Sequence, residues 1–268
     1  MRLGEVRVAD DHDFEELSYA VDNLDGWKLE YFHAPSKVWV KHSDNTDFHM
    51  IKVKTMFSDV DAACVYDVLH DNDYRRTWDR FMLASSSIGC LNANNELNYY
   101  AARCPAPIRN RDLVLLRSWL ATERAYYVMS HSVFHAQYPP RPNLVRAFTH
   151  LTGFVVRPLS PRGCELHYIT HTEPGGRLPA WLTNRVTQNL APRLLRRLHC
   201  AALAYPAWKR KHDTVQKPWL FPEQMSSVRV DLSLCRRSPL EESEPPPDES
   251  AAKVEDRIAE NYFNLVDR

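Results

Sequence analysis

Hydrophobic and polar positions follow two different periods along the chain, and these periods predict where helices and strands lie. Near the start, Phe14, Leu17 and Val21 recur at helical spacing after the possible cap residue Asp10, which predicts a short opening helix. From Gly26 onward, short runs of β-branched and aromatic residues are separated by Pro, Ser, Asn and Asp. This second pattern predicts three antiparallel strands after the helix.

The remainder of the pattern predicts paired helices, more strands and a long final helix. Residues 58–81 offer a cap and helically spaced apolar positions, and Pro179 opens the longest helical segment. Six further strands are predicted around residues 83–91, 97–104, 113–121, 126–133, 145–156 and 164–173. The fold class is therefore α+β, with an antiparallel sheet of about nine strands that is large enough to curl.

Composition divides the chain into one domain and a tail. We predict a folded domain over residues 10–224, since beyond Pro222 the sequence turns to Ser, Pro and Glu and cannot bury enough apolar surface. Residues 225–268 are predicted to be mostly disordered, with a possible short terminal helix. Ser238 and Ser243 lie near several glutamates, so both are candidate phosphorylation sites.

Charge and cysteine usage narrow the classes of partner and compartment. The 34 basic and 34 acidic residues cancel, which gives no chain-wide attraction to nucleic acid. No stretch resembles a signal peptide or a membrane span, and the six cysteines form no CxxC pair. We expect a cytoplasmic monomer with reduced cysteines and no nucleic-acid partner.

Motifs for catalysis and cofactor binding are missing from the sequence. It contains no glycine-rich phosphate loop and no GxSxG, HExxH or SxxK pattern. His167, His171 and Glu173 are the best candidates for a metal site, but spacing disfavours it, because the two histidines lie roughly 13 Å apart on a strand. We predict no catalytic residue, no metal and no cofactor. An enzyme would have to use Asp79 and His150 as its acid or base.

Three motifs resemble one known family. DNDYRRTWD (residues 71–79), CPAPIRNRDLVLLRSW (104–119) and EPGGRLPAWLTN (173–184) look like signatures of the START lipid-transfer domain, in the branch of phosphatidylcholine transfer protein. Within that branch the chain is most similar to carriers of both phosphatidylcholine and phosphatidylethanolamine. The resemblance implies a helix-grip fold, in which a curved sheet wraps the long C-terminal helix and encloses a lipid tunnel.

The resemblance also assigns a role to an arginine and an aspartate. In the family the arginine at the position of Arg75 contacts the lipid phosphate, and the aspartate at Asp79 holds it. A buried phosphodiester needs a fixed cation, and guanidinium can donate two parallel hydrogen bonds to it. The alternative is a solvent-facing ion pair four residues apart, worth about 0.3–0.5 kcal/mol.

Choline recognition in the family uses an aromatic cage, which this sequence keeps only in part. The cage positions fall on Tyr100, Leu113 and His150, and a further headgroup contact falls on Thr152. Only Tyr100 offers a strong ring face to a cation. The departure favours a carrier that tolerates smaller amine headgroups, whereas simple strand packing is the alternative reading of these residues.

The implied gate and tunnel residues lie in two loops and the long helix. Pro105 and Pro107 stiffen the first loop, and EPGGRLP is a hinge before the helix. The alternative is that both segments are ordinary loops between secondary-structure elements, which proline and glycine would suit equally well. The resemblance suggests Ile108, Leu178 and Trp181 for a membrane-touching tip, and Val186, Leu190 and Leu194 for the tunnel lining.

These observations together predict a protein that binds one phospholipid and transfers it between membranes during transient surface contact. Phosphatidylcholine and phosphatidylethanolamine are the expected ligands. A lipid-responsive sensor or scaffold is the main alternative, and an enzyme on the same scaffold is a weaker one.

Overall fold

The computed structural model describes residues 1–43, 46–179, 191–212, 215–238 and 247–253. Its α-helices are α1 (Asp11–Asp22), α2 (Ala62–His70), α3 (Asn72–Trp78) and α4 (Ala191–Lys211). Its strands are β1 (Lys28–His33), β2 (Ser36–Ser43), β3 (Thr46–Phe57), β4 (Met82–Asn92), β5 (Asn95–Ala102), β6 (Asn110–Ala121), β7 (Tyr126–Ser132), β8 (Phe134–His135), β9 (Leu144–Arg146), β10 (Phe148–Pro158), β11 (Cys164–Glu173) and β12 (Cys235–Arg236).

The main sheet is antiparallel and runs in the order β1-β2-β3-β11-β10-β7-β6-β5-β4. These nine strands and the order of the helices confirm the predicted α+β helix-grip fold. One predicted strand differs in detail, because residues 145–156 are split between β9 and β10. The short β9 pairs in parallel with β6, and the Ala147 N–H then bonds the Asp112 carbonyl at 2.9 Å.

One face of the sheet, which we call the inner face, packs against α2 and α4. Val53, Val156 and Leu166 are buried there in one cluster with Val65 of α2 and Leu198 of α4. Strands far apart in the sheet reach the same helix, since β1 joins this cluster and β6 bonds the end of α2. The sheet must therefore curve around its helices. No helix among the described residues is both long and apolar enough to cross a bilayer.

The opposite face, the outer face, is covered by α1. Asp10 caps α1 through a capping box, and Leu17 of this helix packs beside Val155 and Ile169. The close approach requires a glycine at position 153, because a Cβ there would lie only 2.4 Å from a Leu17 methyl carbon. Neighbouring side chains on β10 and β11 thus meet different elements according to the face they occupy.

The described parts of the tail are ordered against the domain, which differs from the predicted disorder for residues 225–238 and 247–253. The Cys90 N–H bonds the Val228 carbonyl at 2.8 Å, and Val230 returns a bond to Cys90 at 3.0 Å. Val230 and Cys235 also pack against apolar residues of β5 and β6. Backbone pairing and these few apolar side chains order a segment whose composition is otherwise polar. The domain boundary at residue 224 stays a prediction.

Candidate ligand site

An arginine–aspartate pair projects from α3 and its C-terminal end toward the inner face. The Arg75 Nε donates to Asp79 Oδ2 at 2.9 Å, and the other Asp79 oxygen accepts the Phe81 N–H at 3.1 Å. The Tyr100 hydroxyl lies 3.4 Å from Asp79 Oδ2, and its ring centre lies 5.2 Å from the guanidinium. The predicted pair is therefore formed, and an aromatic hydroxyl joins it.

The surroundings of Arg75 are enclosed although its side chain keeps accessible surface. About a third of that side chain is accessible (34%), against 6% for Asp79. Burial alone lowers the pKa of Arg75, but nearby Tyr100 and Asp79 more than offset this effect and raise it. For Tyr100, whose charged form is the anion, burial raises the pKa. Arg75 therefore combines a strongly desolvated setting with a guanidinium that keeps free surface on the inner side of the sheet.

A second guanidinium on the inner face was not singled out from the sequence. Arg117 Nη2 donates to the Leu69 carbonyl at 2.8 Å, and its guanidinium lies 5.8 Å from the Trp119 ring. In the described ranges no carboxylate lies within 4.0 Å of it. Burial lowers the pKa of Arg117 to about 10, and nearby Arg75 acts in the same direction. The sequence feature that could have indicated this site is an arginine that follows the apolar run of β6.

The predicted headgroup residues Tyr100, Leu113 and Thr152 share the inner face. Leu113 stands directly opposite Tyr100 in the β5–β6 register and is half-buried. Thr152 stands opposite Thr170, with the two hydroxyl oxygens 2.9 Å apart. Tyr168, two residues before Thr170, was missed by the sequence analysis. It lies on the same inner face and packs against the buried cluster there. Burial raises its pKa, whereas a hydrogen bond with Thr170 and the Arg75 charge lower it.

His150 does not belong to this group, which corrects the assignment of a headgroup role. Its ring stacks on His171 at a centroid distance of 4.6 Å, and its Nε2 lies 2.7 Å from Glu173 Oε1. Both partners occupy the outer face, where His150 also borders a crevice that Leu17 of α1 helps to line. A register shift between Thr149 and Leu151 turns the histidine outward.

The predicted gate loop after β5 is held closely against the domain. Pro105 is buried, Pro107 is exposed, and Ile108 is only 4% exposed. Ile108 therefore does not present an apolar tip to a membrane in this structure, contrary to the prediction. Its Cβ-branched side chain is covered because the loop folds back, with the Ile108 N–H bonded to the Pro105 carbonyl at 2.9 Å.

Arg111 connects both predicted gate segments to the tail. Its guanidinium donates to the carbonyls of Arg109, Pro174 and Gly175 at 2.5, 2.9 and 3.2 Å. It also pairs with Glu249 Oε2 at 2.7 Å, with both side chains nearly buried. Glu249 Oε1 in turn accepts the Arg109 N–H at 2.8 Å. One arginine and one tail carboxylate thus hold the two segments together.

The remaining predicted positions are placed as follows. Leu178 and Leu194 are half-buried, and Ser238 is exposed. Trp181, Val186, Leu190 and Ser243 lie outside the described residues. Their tunnel, gate and phosphorylation roles stay predictions.

An antiparallel sheet curved around helices, with an arginine–carboxylate pair on its inner side, defines the class of helix-grip ligand-binding proteins. The START domain profile matches residues 7–209. The chain belongs to the START domain family.

Individual relatives agree with this membership. The chain is 42% identical over 230 residues to START domain-containing protein 10 of Homo sapiens, covering 85% of this chain and 79% of that protein. The crystal structure of human STARD10 superposes with a TM-score of 0.82 at 39% identity, covering 87% of this chain and 96% of the other. Human phosphatidylcholine transfer protein is 24% identical over 184 residues, covering 67% of this chain and 85% of that protein.

Proposed function

We propose that this protein binds one phospholipid inside the sheet and transfers it between membranes. The observation that carries the proposal is the Arg75 guanidinium, which is enclosed by protein and still has accessible surface. A guanidinium in that position can donate hydrogen bonds to a phosphodiester in a desolvated space. The similarity to a protein named for phosphatidylcholine transfer supports the ligand class.

The physical task of such a carrier is to lower the barrier to lipid desorption. Each methylene that leaves the bilayer for water costs about 0.8 kcal/mol, so free desorption of a two-chain lipid is very slow. Aromatic and aliphatic residues of the inner face, such as Phe154 and Leu115, retain accessible surface and offer an apolar replacement for the bilayer. The carrier performs no covalent step in this scheme.

Asp79 and Tyr100 prepare Arg75 for the phosphate. In the empty protein an unpaired buried guanidinium would be costly, and Asp79 removes that cost. When a phosphate arrives, the donors of Arg75 that do not bond Asp79 remain free to bind it. Arg117 supplies a second positive charge with no carboxylate within 4.0 Å of it among the described residues, which further favours an anionic group on the inner side of the sheet.

Entry and exit of the lipid require the two gate segments to separate. Arg111 bonds the carbonyls of both segments, so opening must break these bonds together with the Glu249 pair. We assign this opening to a transient contact with a membrane surface, as expected for an intracellular carrier. Phosphatidylcholine and phosphatidylethanolamine are the proposed cargoes.

The test is a transfer assay between vesicles with labelled phosphatidylcholine or phosphatidylethanolamine. Arg75→Ala should fold and lose about 10- to 100-fold in transfer rate, because a hydrogen bond to a charged group contributes about 1.5–3 kcal/mol. The matched control is Arg76→Ala, since this neighbour in α3 is exposed. It should transfer within twofold of the wild type.

The same preparations should be extracted and their bound lipids identified by mass spectrometry. Wild type and Arg76→Ala should each release about one phospholipid per chain, and Arg75→Ala much less. A folded Arg75→Ala variant with wild-type occupancy and transfer would refute the proposed phosphate site.

A further inference from the structure

Four threonine hydroxyls form a closed ring on the inner face of β10 and β11. The oxygen–oxygen distances are 3.0 Å for Thr149–Thr152 and 2.9 Å for Thr152–Thr170, Thr170–Thr172 and Thr172–Thr149. Thr149 is buried, whereas the other three retain accessible surface. The ring, which we call the threonine ring, lies on the inner side of the sheet, toward which Arg75 also projects.

Strand register explains how the ring is assembled. Thr152 is paired with Thr170, and Thr149 with Thr172. The bulge at His150 adds one residue to β10, so Thr149 and Thr152 occupy the same face although three positions separate them. Sequence spacing alone places Thr149 and Thr152 on opposite faces of a regular strand.

A count of protons shows that the ring is short of donors. Each hydroxyl has one proton and two lone pairs, so four threonines bring four protons and eight lone pairs. Thr149 donates to the His171 carbonyl at 3.1 Å, which leaves three protons for the four contacts within the ring. These protons fill three of the eight lone pairs. At least half of the lone pairs stay open, and no proton is spare.

A surface with open lone pairs and no spare proton is suited to a ligand that brings its own N–H donors. A primary ammonium brings three, a quaternary ammonium brings none, and a phosphate brings only acceptors. The ring lies two residues along β11 from Tyr168, roughly 6.6 Å. Tyr168 in turn feels the Arg75 charge. An amine joined to a phosphate by a two-carbon link is the ligand that would place one group at the ring and the other at Arg75, on the same inner side of the sheet.

We propose that the threonine ring is the specificity element for a primary ammonium headgroup, that of an ethanolamine phospholipid. The inference rests on the proposed function and adds the residues that set headgroup preference. The ring accepts hydrogen bonds from the ammonium, and each N-methyl group on the headgroup removes one of them. Phosphatidylcholine can still bind through Arg75, without the contribution of the ring.

The experiment loads the full-length protein from vesicles that contain equimolar phosphatidylethanolamine and phosphatidylcholine with identical acyl chains. Bound lipids are then quantified by mass spectrometry. Thr170→Val removes two ring contacts at nearly constant shape, and should lower the bound ethanolamine-to-choline ratio about tenfold relative to the wild type. Thr170→Ser restores the hydroxyl and should recover most of the ratio.

The matched control is Thr55→Val on β3. Thr55 also faces the inner side, but its hydroxyl bonds Ser36 at 2.9 Å and is not part of the ring. This variant should leave the ratio within twofold of the wild type. A second measurement needs no variant: the wild type is offered the mono- and dimethylated ethanolamine lipids, and its uptake relative to phosphatidylcholine should fall with each methyl group.

The outcomes separate the two proposals. Full lipid occupancy with an unchanged ratio in Thr170→Val, or a wild type indifferent to methylation, would refute the ring as the amine site and leave the carrier function intact. Absence of any phospholipid from the wild type would refute the carrier function and the inference with it. If Thr170→Val fails to fold, the methylation series alone decides.

Discussion

The strand pair β10–β11 carries two polar clusters, one on each face. On the inner face, Thr152 and Thr170 belong to a hydroxyl ring on the side of the sheet toward which Arg75 projects. On the outer face, His150 and His171 stack and meet Glu173 next to α1. Residues adjacent in sequence thus occupy environments with different chemistry. A residue type is therefore informative about ligand binding only once its face is known.

The inner face has a packed end, where Leu166 contacts the helices, and a polar end with Arg75 and the threonine ring. Replacing Leu166 tests the packed end. Leu166→Ala should lower the free energy of unfolding by about 2–5 kcal/mol, because this fully buried side chain leaves a cavity between sheet and helices. Denaturant unfolding gives the loss. The control Leu159→Ala, at an exposed position, should cost less than about 0.5 kcal/mol.

Headgroup selection should be unaffected by Leu166→Ala, because the ring and Arg75 lie at the polar end. A shift of the bound ethanolamine-to-choline ratio by more than threefold in folded protein would mean that the two ends are not independent.

Acidification should distinguish His70 of α2, which is fully buried, from His171 of the outer-face cluster, which is half-buried. Burial places the pKa of His70 well below its usual value, with Arg117 acting in the same direction, and burial with His150 nearby lowers the pKa of His171. A lowered histidine pKa means that the unfolded chain binds more protons below about pH 6.5. Stability is therefore lost as the pH falls from 6.5 to 5, by up to roughly 2 kcal/mol for a fully buried histidine.

His70→Gln should reduce the difference between the unfolding free energies at pH 7 and pH 5, and His171→Gln should reduce it less because His171 is only half-buried. His12→Gln, on the exposed side of α1, is the control and should leave the difference unchanged. An undiminished difference in His70→Gln would contradict the role of this histidine.

The smallest effect is expected for His150, and it tests the assignment of faces. His150→Ala should bind and transfer phospholipid with a headgroup ratio within twofold of the wild type, since the side chain lies outside the inner space. Its stability should change by less than about 1 kcal/mol, because the side chains of His150 and its partner Glu173 are both partly exposed. A tenfold change in the ratio would place His150 in the ligand site after all.

Much of the fold was predictable from periodicity, but features that depend on pairing between distant segments were not. The nine long strands and the order of the helices follow from runs of alternating or helically spaced apolar residues. The division of residues 145–156 into two strands did not, because it depends on a parallel pairing of β9 with β6. The order of the described tail depends on edge pairing with β4, which composition does not reveal.

The candidate site was predictable only where its residues are close in sequence. Arg75 and Asp79 are four positions apart on α3, so a short motif contains the pair. Tyr168, Arg117 and the threonine ring come from different strands, and no local pattern joins them. Their proximity depends on register and curvature.

The sequence by itself determined the elements, their order and the Arg75–Asp79 pair, because periodicity and i,i+4 spacing are local properties of a chain. Only the tertiary structure decided that His150 points outward, that four threonines meet, and that a tail glutamate joins both gate segments. The physical reason is that a single bulge reverses which side of a strand a residue faces, and contacts between distant strands arise only when the sheet closes around its helices.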